Sequence, residues 1–204
     1  MKKRIKRVKK VKPPLSYRDI PCDSLEEVYF LMWLFELSDL GYVYKIDRCP
    51  PIELSNKVEL PYTVELVKST KEKYLIVTRE HIYTPEFKII WNSRANFLIK
   101  RISNLKGLFY DVKLRNSVDS TMIFETWLEV KPKFDQNNMT RLFKINQKWV
   151  FDKHSIFVDL VIPETLFEKT FTPKDYLTTP TGKQRKLNYK PKSCQEWLLE
   201  HGNN

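Results

Sequence analysis

"FETWLEVKPKFD", residues 124–135, alternates apolar and polar side chains before it meets Pro132. In a β-strand, successive side chains point to opposite faces. Phe124, Thr126, Leu128 and Val130 then share one face, and Glu125, Trp127, Glu129 and Lys131 the other. The first face reads as core, whereas the second carries two carboxylates and an ammonium. A solvated strand face often pairs Glu with Lys, so Glu-x-Lys taken alone reads as surface.

The chemical reading starts from the shared face. Glu129 can hold a hard cation while Lys131 sits beside the same ligand. Phosphodiester hydrolysis uses that pairing, since a bound metal neutralises phosphate and acidifies water while a lysine stabilises developing charge. One carboxylate rarely fixes Mg2+, so a second acid is required. "YTPEF" supplies Glu86, introduced by Pro85 at the entry to a strand. A third acid is available in "SLEE", where Glu26 and Glu27 open a helix. Ser24-x-x-Glu27 also reads as a capping box, in which Glu27 satisfies a backbone amide.

Outward from these motifs, "DSLEEVYFLMWLFELSDLG" predicts a buried helix that begins at a Ser cap and ends at Gly41. Residues 42–91 break into β-branched and aromatic runs, "YVYKI", "KVELPYTVELV", "KYLIVT" and "HIYTPEFKIIW", which read as strands. Residues 92–107 fit either a short helix or an excursion. "LFYDVKL" and "TMIFETWLEV" read as a strand pair around "RNSVDS". A second helix follows, with Asp135 as its cap candidate and Met139, Leu142, Phe143, Trp149 and Val150 as its apolar stripe. "SIFVDLVIP" is a last core strand. Trp127 and Trp149 read as core.

The chain has 204 residues, 42% of them apolar, enough for one domain with tails. Its net charge is +11, yet "MKKRIKRVKKVK" alone holds eight basic side chains and no acid. Such an arm, including Lys2, Lys3 and Arg4, suits phosphate contacts. A second basic cluster, Lys183, Arg185, Lys186, Lys190 and Lys192, favours nucleic acid over membrane as the partner. On the second helix, Arg141, Lys144 and Lys148 fall on the polar side and suit backbone contacts to DNA, while Gln147 reads as solvated. Three cysteines without C-x-x-C spacing argue against a zinc site or disulfide framework. The longest apolar run, "VYFLMWLF", is too short for a bilayer, and a soluble cytoplasmic protein is expected.

"SLEE" on a helix, then "YTPEF", then "LEVK", resembles the PD-(D/E)XK nuclease superfamily over residues 22–162. Within it, the pattern is most similar to phage-type Holliday-junction-resolving endonucleases and to transposon-end nucleases. The resemblance implies an α/β fold with a restriction-endonuclease-like core, a mixed β-sheet flanked by helices. Residues 1–21 then form a basic arm and linker, and 163–204 a helical, basic extension. Glu86 stands at the motif's aspartate, Glu129 at its second acid, Lys131 at its lysine and Glu27 at its helix glutamate. Val130 fills the position whose backbone carbonyl joins the metal shell. A Mg2+ cofactor, for which Mn2+ can substitute, branched DNA and a homodimer are further implications. The motif acid here is Glu rather than Asp, and the long gap to Glu129 leaves Asp111 as a rival metal acid. Two other functions remain open: a nuclease subunit of a transposition, packaging or restriction complex, and a non-catalytic DNA-binding protein on a decayed nuclease fold.

Overall fold

The computed structural model describes residues 15–95, 98, 112–115, 122–134 and 139–201. Lys2, Lys3, Arg4, Asp111 and Asp135 lie outside the described residues, so the expectations for them have no structural counterpart. A short hairpin of β1 (Leu15–Tyr17) and β2 (Ile20–Cys22) leads into α1 (Leu25–Asp39). Next come β3 (Val43–Arg48), β4 (Ile52–Ser55), β5 (Val58–Leu66), β6 (Ser69–Thr78), β7 (His81–Tyr83) and β8 (Phe87–Trp91). After β9 (Val112–Arg115) and β10 (Met122–Val130), the chain continues through α2 (Met139–His154), β11 (Val158–Val161), α3 (Pro163–Lys169) and α4 (Cys194–His201).

The principal sheet is mixed, in the order β11-β10-β8-β3, with β9 paired to the first half of β10. β10 runs parallel to β11 and antiparallel to β8 and β9, so its backbone is bonded along both sides. Both its faces are covered as well. Leu128 and Val130 enter the core beneath α1, while Trp127 packs with Val158, Phe143 and Val150 on the side of α2. The second face is therefore no solvated edge, and Glu129 is only 5% exposed. This is an α/β architecture with a mixed sheet flanked by helices.

α1 is apolar nearly all round because it is covered twice. Phe30, Leu31, Trp33, Leu34 and Leu37 are fully buried, against the sheet on one side and residues of the 163–201 segment on the other. Trp33 stacks on Phe171 at 5.3 Å and donates its indole N–H to Thr170 at 3.0 Å. At the end of α1, Gly41 takes φ +79°, where only glycine is unstrained, and the Gly41 and Tyr42 amides donate to the last helical carbonyls.

Three details differ from the sequence reading. "HIYTPEFKIIW" is two strands rather than one, since β7 pairs with β4 and β8 with the main sheet. Pro85 and Glu86 occupy the break. The runs at 58–78 are a separate hairpin, outside the main sheet. On α2 the buried stripe is Phe143, Asn146 and Val150, so Leu142 at 56% and Trp149 at 37% exposure are not core. Trp149 instead stacks on His81 at 5.2 Å. Asn146 is buried because it bonds the same His81 ring at 3.1 Å, which substitutes a polar tie for an apolar contact.

Candidate active site

Glu129 is held at the C-terminal end of β10, where the strand leaves the sheet. Its register opposite Leu160 on β11 and the amide of Lys131 donating to the Val161 carbonyl at 2.9 Å fix both residues. Glu86 is fixed from the neighbouring strand, because its amide donates to the Leu128 carbonyl at 2.9 Å just before Phe87 pairs with Leu128. Two acids separated by 43 positions in sequence thereby meet at adjacent strand ends.

Between them sits Lys131. Its ammonium is 2.5 Å from Glu129 Oε1 and 3.8 Å from Glu86 Oε1, with the lysine side chain only 12% exposed. The other Glu129 oxygen accepts from the Tyr83 hydroxyl at 2.9 Å. Burial, with the Glu129 carboxylate beside it, raises the Tyr83 pKa well above the phenol range, so this residue stays a donor.

A second cation stands on the other side of Glu86. Arg48, from the end of β3, contacts Glu27 at 2.6 Å, Asp23 at 2.9 Å and Glu86 at 3.5 Å. Its guanidinium also lies over the Phe87 ring, 5.0 Å from the centroid. One oxygen from each of Asp23, Glu27 and Glu86 falls within 4.8 Å of the others. Glu86 is thus the link between two pairs, Glu27 with Arg48 and Glu129 with Lys131.

Glu27 is also the capping residue that its spacing allows. It accepts from the Ser24 hydroxyl at 2.9 Å and the Asp23 amide at 3.1 Å, and its own amide donates to Ser24 Oγ at 3.2 Å. Both readings of Ser24-x-x-Glu27 therefore meet in one side chain, which is 2% exposed. Val130 directs its side chain into the core, leaving only its backbone for any ligand. Glu125 turns away to pair with Lys88 at 2.9 Å and accept from Trp127 at 2.6 Å.

Glu86 has a strongly perturbed acidity. Burial chiefly, then the Glu27 and Glu129 charges, push its pKa up to about 7, against the opposing pull of Lys131 and Arg48. Between pH ~4.5 and ~7 the folded chain keeps a proton that the unfolded chain releases. Metal-free stability consequently falls as pH rises through that window, by on the order of 3 kcal/mol, and stays low above it. Urea midpoints in chelator should decline from pH 5 to 8 for the native chain and stay flatter for Glu86→Gln. Parallel profiles would remove the coupling.

The flanking cations divide in two. Arg141, Lys144 and Lys148 are exposed along α2, as expected. Gln147, read as solvated, is half-buried and donates to the Val158 carbonyl at 2.5 Å. In the C-terminal cluster, Arg185 lies over the rings of Tyr29 and Tyr176 and Lys192 pairs with Glu200 at 2.5 Å, while Lys183, Lys186 and Lys190 are exposed. Sequence reasoning missed Arg48, Asp23 and Tyr83. Only Tyr83 carried a signal, its place within "YTPEF". Among the described residues, no helix is long and apolar enough to cross a membrane. No family model, curated protein or solved structure gives a significant match to the chain.

Proposed function

We propose that this chain is a metal-dependent DNA endonuclease built on a restriction-endonuclease-like core. The observation that carries the reading is the meeting of Glu86, Glu129 and Lys131 at the ends of two paired strands, all largely buried. Support also comes from the element order, α1, three sheet strands β3, β8 and β10, α2, then β11 parallel to β10. Carboxylate oxygens, with the Val130 carbonyl between Glu129 and Lys131 in sequence, form the hard donor set that Mg2+ or Mn2+ takes. When bound, such an ion supplies charge neutralisation at a phosphate and an acidified water.

The chain's own groups have distinct parts. Glu86 and Glu129 hold the cation, and Glu27 orients Arg48 against Glu86. Lys131 stabilises charge on the attacked phosphate. The exposed Arg141, Lys144 and Lys148 grip the flanking backbone without reading bases. Structure-selective cutting of branched DNA, by a homodimer at a four-way junction, is the substrate class we assign.

The test is cleavage of a labelled four-way junction and of its linear arms by the full chain, in Mg2+, Mn2+ or chelator. Metal-dependent cutting that Glu129→Ala abolishes is expected. Binding of both DNAs with no cutting under any metal would instead support a non-catalytic DNA-binding protein. One observation favours that second reading: Arg48 and Lys131 already neutralise the acids that a metal needs.

A further inference from the structure

β5 and β6 form a ribbon joined by a two-residue turn at Val67 and Lys68, and nearly every residue on it is exposed. Nine to ten residues per strand give a length of roughly 30 Å. A lone two-stranded ribbon is marginal in water unless something covers it. Here the exposed side chains include Leu60 at 55%, Leu75 at 58%, Tyr62 at 46% and Leu66 at 49%. Contiguous apolar exposure of this kind marks a contact surface.

The register sorts the charges. Cross-strand partners share a face, so Leu60 with Leu75, Tyr62 with Lys73, Val64 with Lys71 and Leu66 with Ser69 form one side. The other side holds Glu59 with Ile76, Pro61 with Tyr74, Thr63 with Glu72 and Glu65 with Thr70. All the cations of these eight pairs lie on the first face, and all the anions on the second. At its root the ribbon continues the β4–β7 pair, in which Ser55 stands opposite His81. Two residues beyond His81 is Tyr83, bonded to Glu129. The ribbon thus grows from the element that touches the candidate site.

We infer that the Lys71/Lys73 face of this ribbon is a DNA-contacting arm that lies in a groove of the duplex beside the scissile phosphate. The inference rests on the nuclease reading and adds a second contact to it. A second copy of the chain is a poor occupant, because a two-fold interface sets like face on like face, lysines near lysines or glutamates near glutamates. A duplex offers phosphates to Lys71 and Lys73, and its major groove is wide enough for a two-stranded ribbon. Tyr62, Leu60 and Leu75 then meet the apolar thymine methyls and base edges that this groove presents. The acidic face turns outward.

The experiment measures affinity of the full chain for the labelled junction and a linear duplex by fluorescence anisotropy in chelator, across a salt series. Lys71→Ala/Lys73→Ala should weaken binding about tenfold or more and reduce the salt slope by about 1 per lysine. Tyr62→Ala/Leu75→Ala should weaken binding with the slope unchanged, and Thr63→Ala/Thr70→Ala on the opposite face should change neither. Native binding that all three variants retain overturns the arm, whether or not the DNA is cut. A shift in sedimentation on Tyr62→Ala/Leu75→Ala at constant DNA affinity also overturns it, in favour of a protein partner. If the native chain binds DNA through these lysines yet never cuts, the arm stands and the nuclease reading falls. A native chain that binds no DNA ends both.

Discussion

Lys131→Ala is expected to cut DNA about 10²–10³-fold more slowly than the native chain, the cost of losing one donor aimed at developing charge. It should hold Mn2+ more tightly at the same time. Lys131 now lies 2.5 Å from Glu129 and 3.8 Å from Glu86, so its ammonium neutralises both acids in the metal-free state. Its removal leaves two buried carboxylates facing each other, which a divalent cation relieves. Without metal, breaking so buried a pair should destabilise the fold by about 3–5 kcal/mol. The split between the two readouts is what matters: calorimetric Mn2+ titration and single-turnover cleavage must move in opposite directions. A variant that cuts at the native rate removes Lys131 from the chemistry. Equal losses of metal affinity and rate would point to collapse of the site, which Lys131→Met, keeping the aliphatic stem, distinguishes.

Arg48→Ala has the second large effect, on stability. Glu27 is 2% exposed and would keep the Ser24 hydroxyl and Asp23 amide but no cation. Because the Arg48 side chain is itself 30% exposed, the cost is set at about 2–4 kcal/mol, below that of a fully buried pair. The lost stacking over Phe87 falls within that figure. Millimolar Mg2+ or Mn2+ should recover more stability in the variant than in the native chain, because the guanidinium stands among the three acids that the ion would approach. Thermal shifts with and without metal check this. Identical metal-induced shifts in the two proteins would show that Arg48 and the ion do not compete.

Local pattern made the elements legible in the sequence, and it failed wherever partners were distant. The alternation from Phe124 to Lys131 gave the strand, and the spacing around Pro85 gave its neighbour, so Glu86, Glu129 and Lys131 were found before their geometry. Alternation states which residues share a face, but not what lies over that face. Glu-x-Lys on that face accordingly fits a solvated surface as well as a site, whereas α2, β4 and β7 cover it and Trp127 packs there as core. Leu142 and Trp149 failed for a related reason. Apolar residues on α2 occur on two adjacent stripes, and only the stripe of Phe143 and Val150 meets β11 and β4. Arg48 left no trace in its own neighbourhood, since its three acid partners come from α1 and from the break before β8. The strands at 58–78 were visible, but their exclusion from the sheet was not, because a ribbon and a sheet strand share the same period.

The clasp around α1 also governs when the protein can become itself. Trp33 waits for Thr170 and Phe171, Tyr17 for Asp175, and Tyr29 for Arg185, partners 137 to 158 positions away for the hydrogen-bonded pairs. Contacts that distant close large loops late, and they make for slow folding. During synthesis the aromatic side of α1 emerges early and stays uncovered until residues 163–201 leave the ribosome, a period in which chaperone capture competes with collapse. The helix that carries Glu27 is therefore among the last parts of the fold to be covered, and an interrupted chain holding every one of Glu27, Glu86, Glu129 and Lys131 would still leave Trp33, further along the same helix, without Thr170 and Phe171.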